Sequence, residues 1–210
     1  MKNSTDISET SPAFKTLFIK LLKGIYNTEH AIVDALPTLI QAATTQELKE
    51  SFQDHELVTK RQIMRLERIF RKLDLTVEKQ SCAVMETFEA ITQKIIKVTP
   101  DNSMVRDAGL IVVAQQIEHY EIATYGGLIQ FALAIEAYEI ANLLEQTLEE
   151  EEDTDFELTQ IGECHINLQA SEEESHTQEN EEKEEEKNSS SSTKRNSASA
   201  TKDKETKLKK

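Results

Sequence analysis

The chain has 210 residues and is acidic, with 39 Asp and Glu against 24 Lys and Arg, a formal charge of −15, and only five Gly and three Pro. So few turn-forming residues disfavour a fold of many short strands, and a strongly acidic body repels phosphate backbones, which excludes nucleic acid as a partner of the folded part. No apolar run approaches the roughly 18 residues of a membrane span.

The N-terminal MKNSTDISETSP lacks the apolar stretch of a secretory signal, and Cys82 and Cys164 show neither metal nor disulfide spacing, so a cytoplasmic protein is expected. Nearly all aliphatic and aromatic side chains fall within residues 1–170. The expected organisation is a flexible N-terminus over 1–10, one helical domain over 11–165 and a disordered tail over 166–210.

Ser11-Pro12 reads as a helix start, with Ser at the cap and Pro at the first helical position. The first helix should run to about Ala43, because Phe14, Phe18, Leu21, Ile25, Ile32, Leu36 and Leu39 step by three and four and share one stripe. Glu29 falls within that stripe, and Pro37 predicts a kink late in the helix. Thr44 with Glu47 reads as a capping box for the second helix. Its stripe is Leu48, Phe52, His55, Thr59, Gln62, Leu66, Ile69 and Leu73, with three polar residues at the centre. A weaker pattern over 82–98 predicts a shorter connecting helix, and Thr99 to Ser103 a loop.

The third long helix should start near Ser103 and line up Ala108, Ile111, Ala114 or Gln115, Glu118, Glu121 or Ile122, Tyr125 and Leu128. The fourth supplies Leu144, Leu148, Glu151, Asp155 and Leu158 and is expected to end at Gly162 as C-cap. Between them FALAIEAYEIANLL has no Gly, Pro or Asn before Asn142. A turn near Ile135–Tyr138 is expected there, since one uninterrupted helix would leave its apolar stripe without a partner. The fold class is therefore all-α, an antiparallel four-helix bundle with a short connecting helix.

The tail is biased rather than periodic. Residues 171–187 carry nine Glu against two Lys, and 188–210 carry seven Lys and Arg against two acids. Such a segment buries too little apolar surface to offset its chain entropy. It leaves room for a tail partner whose identity the composition does not specify.

Each long helix thus places an acid or an imidazole where its own periodicity assigns the core: Glu29; His55 with Thr59 and Gln62; Glu118 with Glu121; and Glu151 with Asp155. Ionised carboxylates are costly to bury alone. One or two cations shared at matching depth would compensate them, and carboxylate oxygens with one imidazole suit iron, manganese or zinc. The i, i+3 pair Glu118/Glu121 and the i, i+4 pair Glu151/Asp155 each present two groups on one helix face. Glu-x-x-His, common in di-iron bundles, occurs only at Glu173/His176 in the tail. The competing reading is a structural or interaction protein whose buried polar residues form a hydrogen-bonded network and whose tail contacts partners. No catalytic residue is assigned.

YNTEHAIVDALPTL, ELKESFQDHELVTKRQIMRLERIF, CAVMETF, VRDAGLIVVAQQIEHYEIATYGGL and LLEQTLEEEEDTDFELT together resemble the YciE/YciF family of bacterial ferritin-like, stress-associated proteins, in a single register. The resemblance implies a ferritin-like bundle, a homodimer and a rubrerythrin-like central metal position, with Glu29, His55, Glu118, Glu121, Glu151 and Asp155 as the metal set and iron or manganese as the metal. Two departures stand out. Relatives tend to read His-Leu-Glu-Glu-Thr where this chain reads His55-Glu56-Leu57-Val58-Thr59, so helix 2 lacks one possible ligand and the nuclearity stays open. They also place Gly in the turn where this chain has Glu136.

Overall fold

A computed structural model describes residues 11–173. Among the described residues there is no strand. The chain forms helices α1 (Pro12–Ala42), α2 (Gln46–Lys72), α3 (Ala83–Val98), α4 (Met104–Ala134), α5 (Tyr138–Ile161) and α6 (Asn167–Glu172), with a π-helical turn over Gly162–Ile166 before α6.

The four long helices pack in a closed cycle. α1 lies against α2 and α4, α5 lies against the same two, and α3 covers α4 and α1. Two apolar cores result. One gathers Phe18, Leu22 and Ile25 from the start of α1, Leu66 and Phe70 from the end of α2, Tyr125 and Leu128 from late α4, and Ile140 and Leu144 from early α5. The other gathers Ile32, Leu36 and Leu39, then Leu48 and Phe52, then Leu110 and Ile117, then Leu158 and Ile161, from the opposite halves of the same helices, with Met85 of α3. The polar residues picked out by periodicity lie between these sets in all four helices, so one polar layer separates two greasy ends.

Helix boundaries follow local chemistry, with three shifts from the expectation. The α2 cap is Thr45 rather than Thr44, and its side chain accepts from Leu48 N–H at 3.4 Å. Thr44 is drawn instead to α4: its N–H donates to Asp107 Oδ1 at 2.6 Å and its hydroxyl to the Ser103 carbonyl at 3.0 Å. Asp107 Oδ2 also accepts from Thr45 N–H at 2.8 Å, so one fully buried acid ties down the α1–α2 corner. α1 continues through Pro37 to Ala42, with the Pro ring on an exposed position.

The turn between α4 and α5 falls where it was expected, over Ile135–Ala137, and closes without glycine. Glu136 adopts φ +56°, Ala137 N–H reaches back to the Ala132 carbonyl at 2.8 Å, and Glu136 N–H to Leu133 at 3.0 Å. This is the Schellman pattern, here built on a residue that pays for a left-handed backbone.

Gly162 does not stop the last long helix. Its backbone is right-handed helical, and a Cβ there would lie 3.2 Å from Asn167 Nδ2 and 3.8 Å from the Ile111 side chain. The glycine serves close packing on α4, and the chain stays helical to Glu172. Ile166 is buried in the second core. Helical structure thus continues past residue 165, where a buried isoleucine beyond the glycine anchors the extra turns. The expected flexible residues 1–10, and the tail from residue 174 with His176, lie outside the described residues.

Candidate metal centre

Four glutamates and one histidine meet in the polar layer. Glu29, Glu121 and Glu151 are fully buried, and Glu118 and His55 are 3% and 6% exposed. Ligand-type atoms of His55, Glu118 and Glu151 lie within 4.8 Å of one another, and so do those of Glu29, Glu121 and Glu151. Glu151 belongs to both groups. His55 Nε2 stands 3.7 Å from Glu118 Oε1. Each helix contributes through its phase. Within the acidic run 149–153, only Glu151 is buried, while Glu150 turns sideways to Arg65.

The defining feature is what these groups lack. Six carboxylate oxygens are buried without a hydrogen-bond donor: Glu29 Oε2, Glu118 Oε2, and both oxygens of Glu121 and of Glu151. His55 Nδ1 is also without a partner. Burial pushes the Glu118, Glu121 and Glu151 carboxyls well above the usual range, and their mutual repulsion adds to it. Burial also raises Glu29 to about 8, opposed by the Tyr125 hydrogen bond and by Arg65. It lowers His55 to about 4. Groups so placed stay neutral on their own and become a strong anionic donor set once a cation compensates them. An oxygen-rich set with one imidazole is of the kind that could hold a metal ion.

Not every residue singled out by periodicity joins the cluster. Asp155 stands apart: its Oδ1 accepts from Gln115 Nε2 at 3.2 Å and faces His119 at 3.6 Å, and it belongs to neither group. One turn beyond Glu151 the α5 face has rotated toward α4, so its charge reaches Glu118 but its oxygens do not enter the layer. Thr59 donates its hydroxyl to the His55 carbonyl at 2.8 Å, and Gln62 donates to Glu150 Oε2 at 3.2 Å. Val58 is half-buried on α2, so His55 is the one member of either group from that helix.

Three residues were not legible as site components. Tyr125 looked like core, yet its hydroxyl donates to Glu29 Oε1. Its position four residues after Glu121 and seven after Glu118 was the available signal. Arg65 forms a two-point pair with Glu150, at 2.9 and 2.8 Å, and donates to Thr147 Oγ1 at 2.6 Å. Nothing in local sequence marks that inter-helix pair.

Comparison with known proteins gives the family. Residues 13–171 match the family model described as domain of unknown function DUF892. The chain is 36% identical to Protein YciF of Escherichia coli K12 over 155 residues, 73% of this chain and 93% of that protein. The crystal structure of the E. coli stress protein YciF superposes with a TM-score of 0.70 at 35% identity, covering 75% of this chain and 99% of that one. YcfI from Rhodopseudomonas palustris gives 0.68 at 31% identity, covering 72% and 96%. A Xanthomonas campestris protein at 18% identity shares the fold, with a TM-score of 0.58 over 73% of this chain and 93% of that one. The chain belongs to the DUF892 family, the YciF-like group that its helix motifs resemble.

Proposed function

We propose that this chain is a ferritin-like antiparallel four-helix bundle that holds iron or manganese in its polar layer and serves a stress-associated role. The observation that carries the reading is the set of six donor-less carboxylate oxygens converging at mid-depth from α1, α4 and α5. Glu29, Glu121 and Glu151 would hold a cation on one side, and His55, Glu118 and Glu151 on the other, with Glu151 shared. A metal so bound supplies Lewis acidity and a redox couple. The protein supplies a dry enclosure, a fixed donor set, and an outer ring of Tyr125, Arg65 and Glu150 that orients it.

The reading of a purely structural hydrogen-bond network is weaker: Tyr125 donates to Glu29 Oε1, but six carboxylate oxygens of the layer have no hydrogen-bond partner among the described residues. The stress role rests on the likeness to the E. coli stress protein YciF. A cytoplasmic setting is proposed on the two unpaired cysteines, Cys82 and Cys164. A homodimer is proposed on the family resemblance, and sedimentation velocity tests it. No helix of the described residues is long and apolar enough to cross a membrane.

Elemental analysis of the purified full-length chain tests the centre. Iron or manganese near stoichiometric amounts is expected, lost in Glu118→Ala and in Glu151→Ala while circular dichroism stays helical. Full metal content in both variants would overturn the assignment.

A further inference from the structure

A pocket of about 20 Å³, partly open to the surface, lies where the second apolar core meets the polar layer. Its walls come from Leu36 of α1, Phe52 of α2, Met85 of α3 and Ala114 and Ile117 of α4, and it ends on His55 and Glu118. The wall surface is almost wholly apolar. Thr154, one of the few polar side chains on it, already donates its hydroxyl to the Glu150 carbonyl at 2.9 Å.

The size and lining restrict the occupant. A cavity needs roughly 10–15 Å³ to admit one water-sized molecule, and water stays only where it finds two to four polar partners. This chamber has room for one small molecule; beside His55 and Glu118 of the cluster its polar side chains are Ser51 and Thr154, and very little polar surface faces the space. Hydrogen peroxide would have to surrender its hydrogen bonds to enter, at a cost that apolar walls do not return. A molecule of similar size that makes no hydrogen bonds loses nothing.

We propose that this chamber binds a small apolar molecule of diatomic size, dioxygen, against the His55–Glu118 side of the polar layer. The identification of dioxygen rests on the metal-binding reading above. Occupancy of the chamber by an apolar atom does not.

Xenon, which resembles dioxygen in being small, apolar and polarizable, separates the two. Crystals of the full-length protein under xenon pressure should show xenon between Leu36, Met85 and Ala114, and in solution xenon should shift the methyl signals of the same side chains. Ala114→Leu fills the chamber and should abolish both effects, whereas Met85→Ala enlarges it and should increase occupancy. An ordered water in place of xenon, or xenon shifts unchanged by both substitutions, would overturn the proposal. Because xenon requires no metal, loss of the metal centre in elemental analysis is read independently. With iron(II) loaded, Ala114→Leu should keep its metal content and consume dioxygen more slowly than the parent. An equal rate would refute delivery through this chamber.

Discussion

The Tyr125 hydroxyl donates to Glu29 Oε1, leaving Glu29 Oε2 without a donor in the polar layer. One hydrogen bond therefore decides which oxygen of a buried carboxyl is available to a cation. Partners of this kind outside the ligand set usually change metal affinity by about 10–100-fold. Tyr125→Phe should weaken iron(II) or manganese(II) binding by that order in titration calorimetry, with helicity unchanged. Unaltered affinity would show that the hydroxyl does not orient Glu29.

Glu121, like Glu151, buries both of its carboxylate oxygens without donors among the described residues, which costs stability while no cation compensates them. Glu121→Gln removes the latent charge while preserving shape. The metal-free variant should melt higher than the parent at pH 8, and added metal should raise its melting temperature less. Differential scanning fluorimetry with and without manganese reads both effects. A variant less stable than the parent when metal-free would contradict the proposed strain.

The pH dependence follows from opposed shifts. Glu29 is raised from 4.5 to about 8, and Glu118, Glu121 and Glu151 are raised as well, so the folded metal-free protein holds protons that the unfolded chain releases above the ordinary carboxylate range. Their contribution to stability is present at low pH and is lost as pH rises toward 8. His55, lowered from 6.5 to about 4, acts in the other direction and only within that interval. Denaturant titrations of the metal-free protein should therefore show stability falling between about pH 6.5 and 8. Metal must displace the carboxyl protons, so its affinity should climb over the same range.

Glu136 holds φ +56° at the α4–α5 turn, where the family resemblance places glycine. Asp74 and Asn102, also at positive φ, are of residue types that tolerate it better. Glu136→Gly should stabilise the fold by roughly 1 kcal/mol, measured by urea unfolding, and leave metal content unchanged. A destabilised variant would show that the glutamate side chain contributes more than its backbone costs.

Periodicity alone identified the inward face of each long helix, and with it Glu29, His55, Glu118, Glu121 and Glu151 as buried, because three- and four-residue steps return a side chain to the same side of a helix whatever surrounds it. It also located the α4–α5 turn, since an unbroken helix would have had no partner for its apolar face. Tertiary packing decided everything that depends on relative height and rotation of neighbouring helices. It sent Asp155 to Gln115, tied Thr44 to Asp107 and moved the α2 cap to Thr45, and it closed Arg65 on Glu150. A residue's own helix fixes which way it points. Only the neighbouring helices fix what it meets, and that encounter leaves six buried carboxylate oxygens without a donor among the described residues.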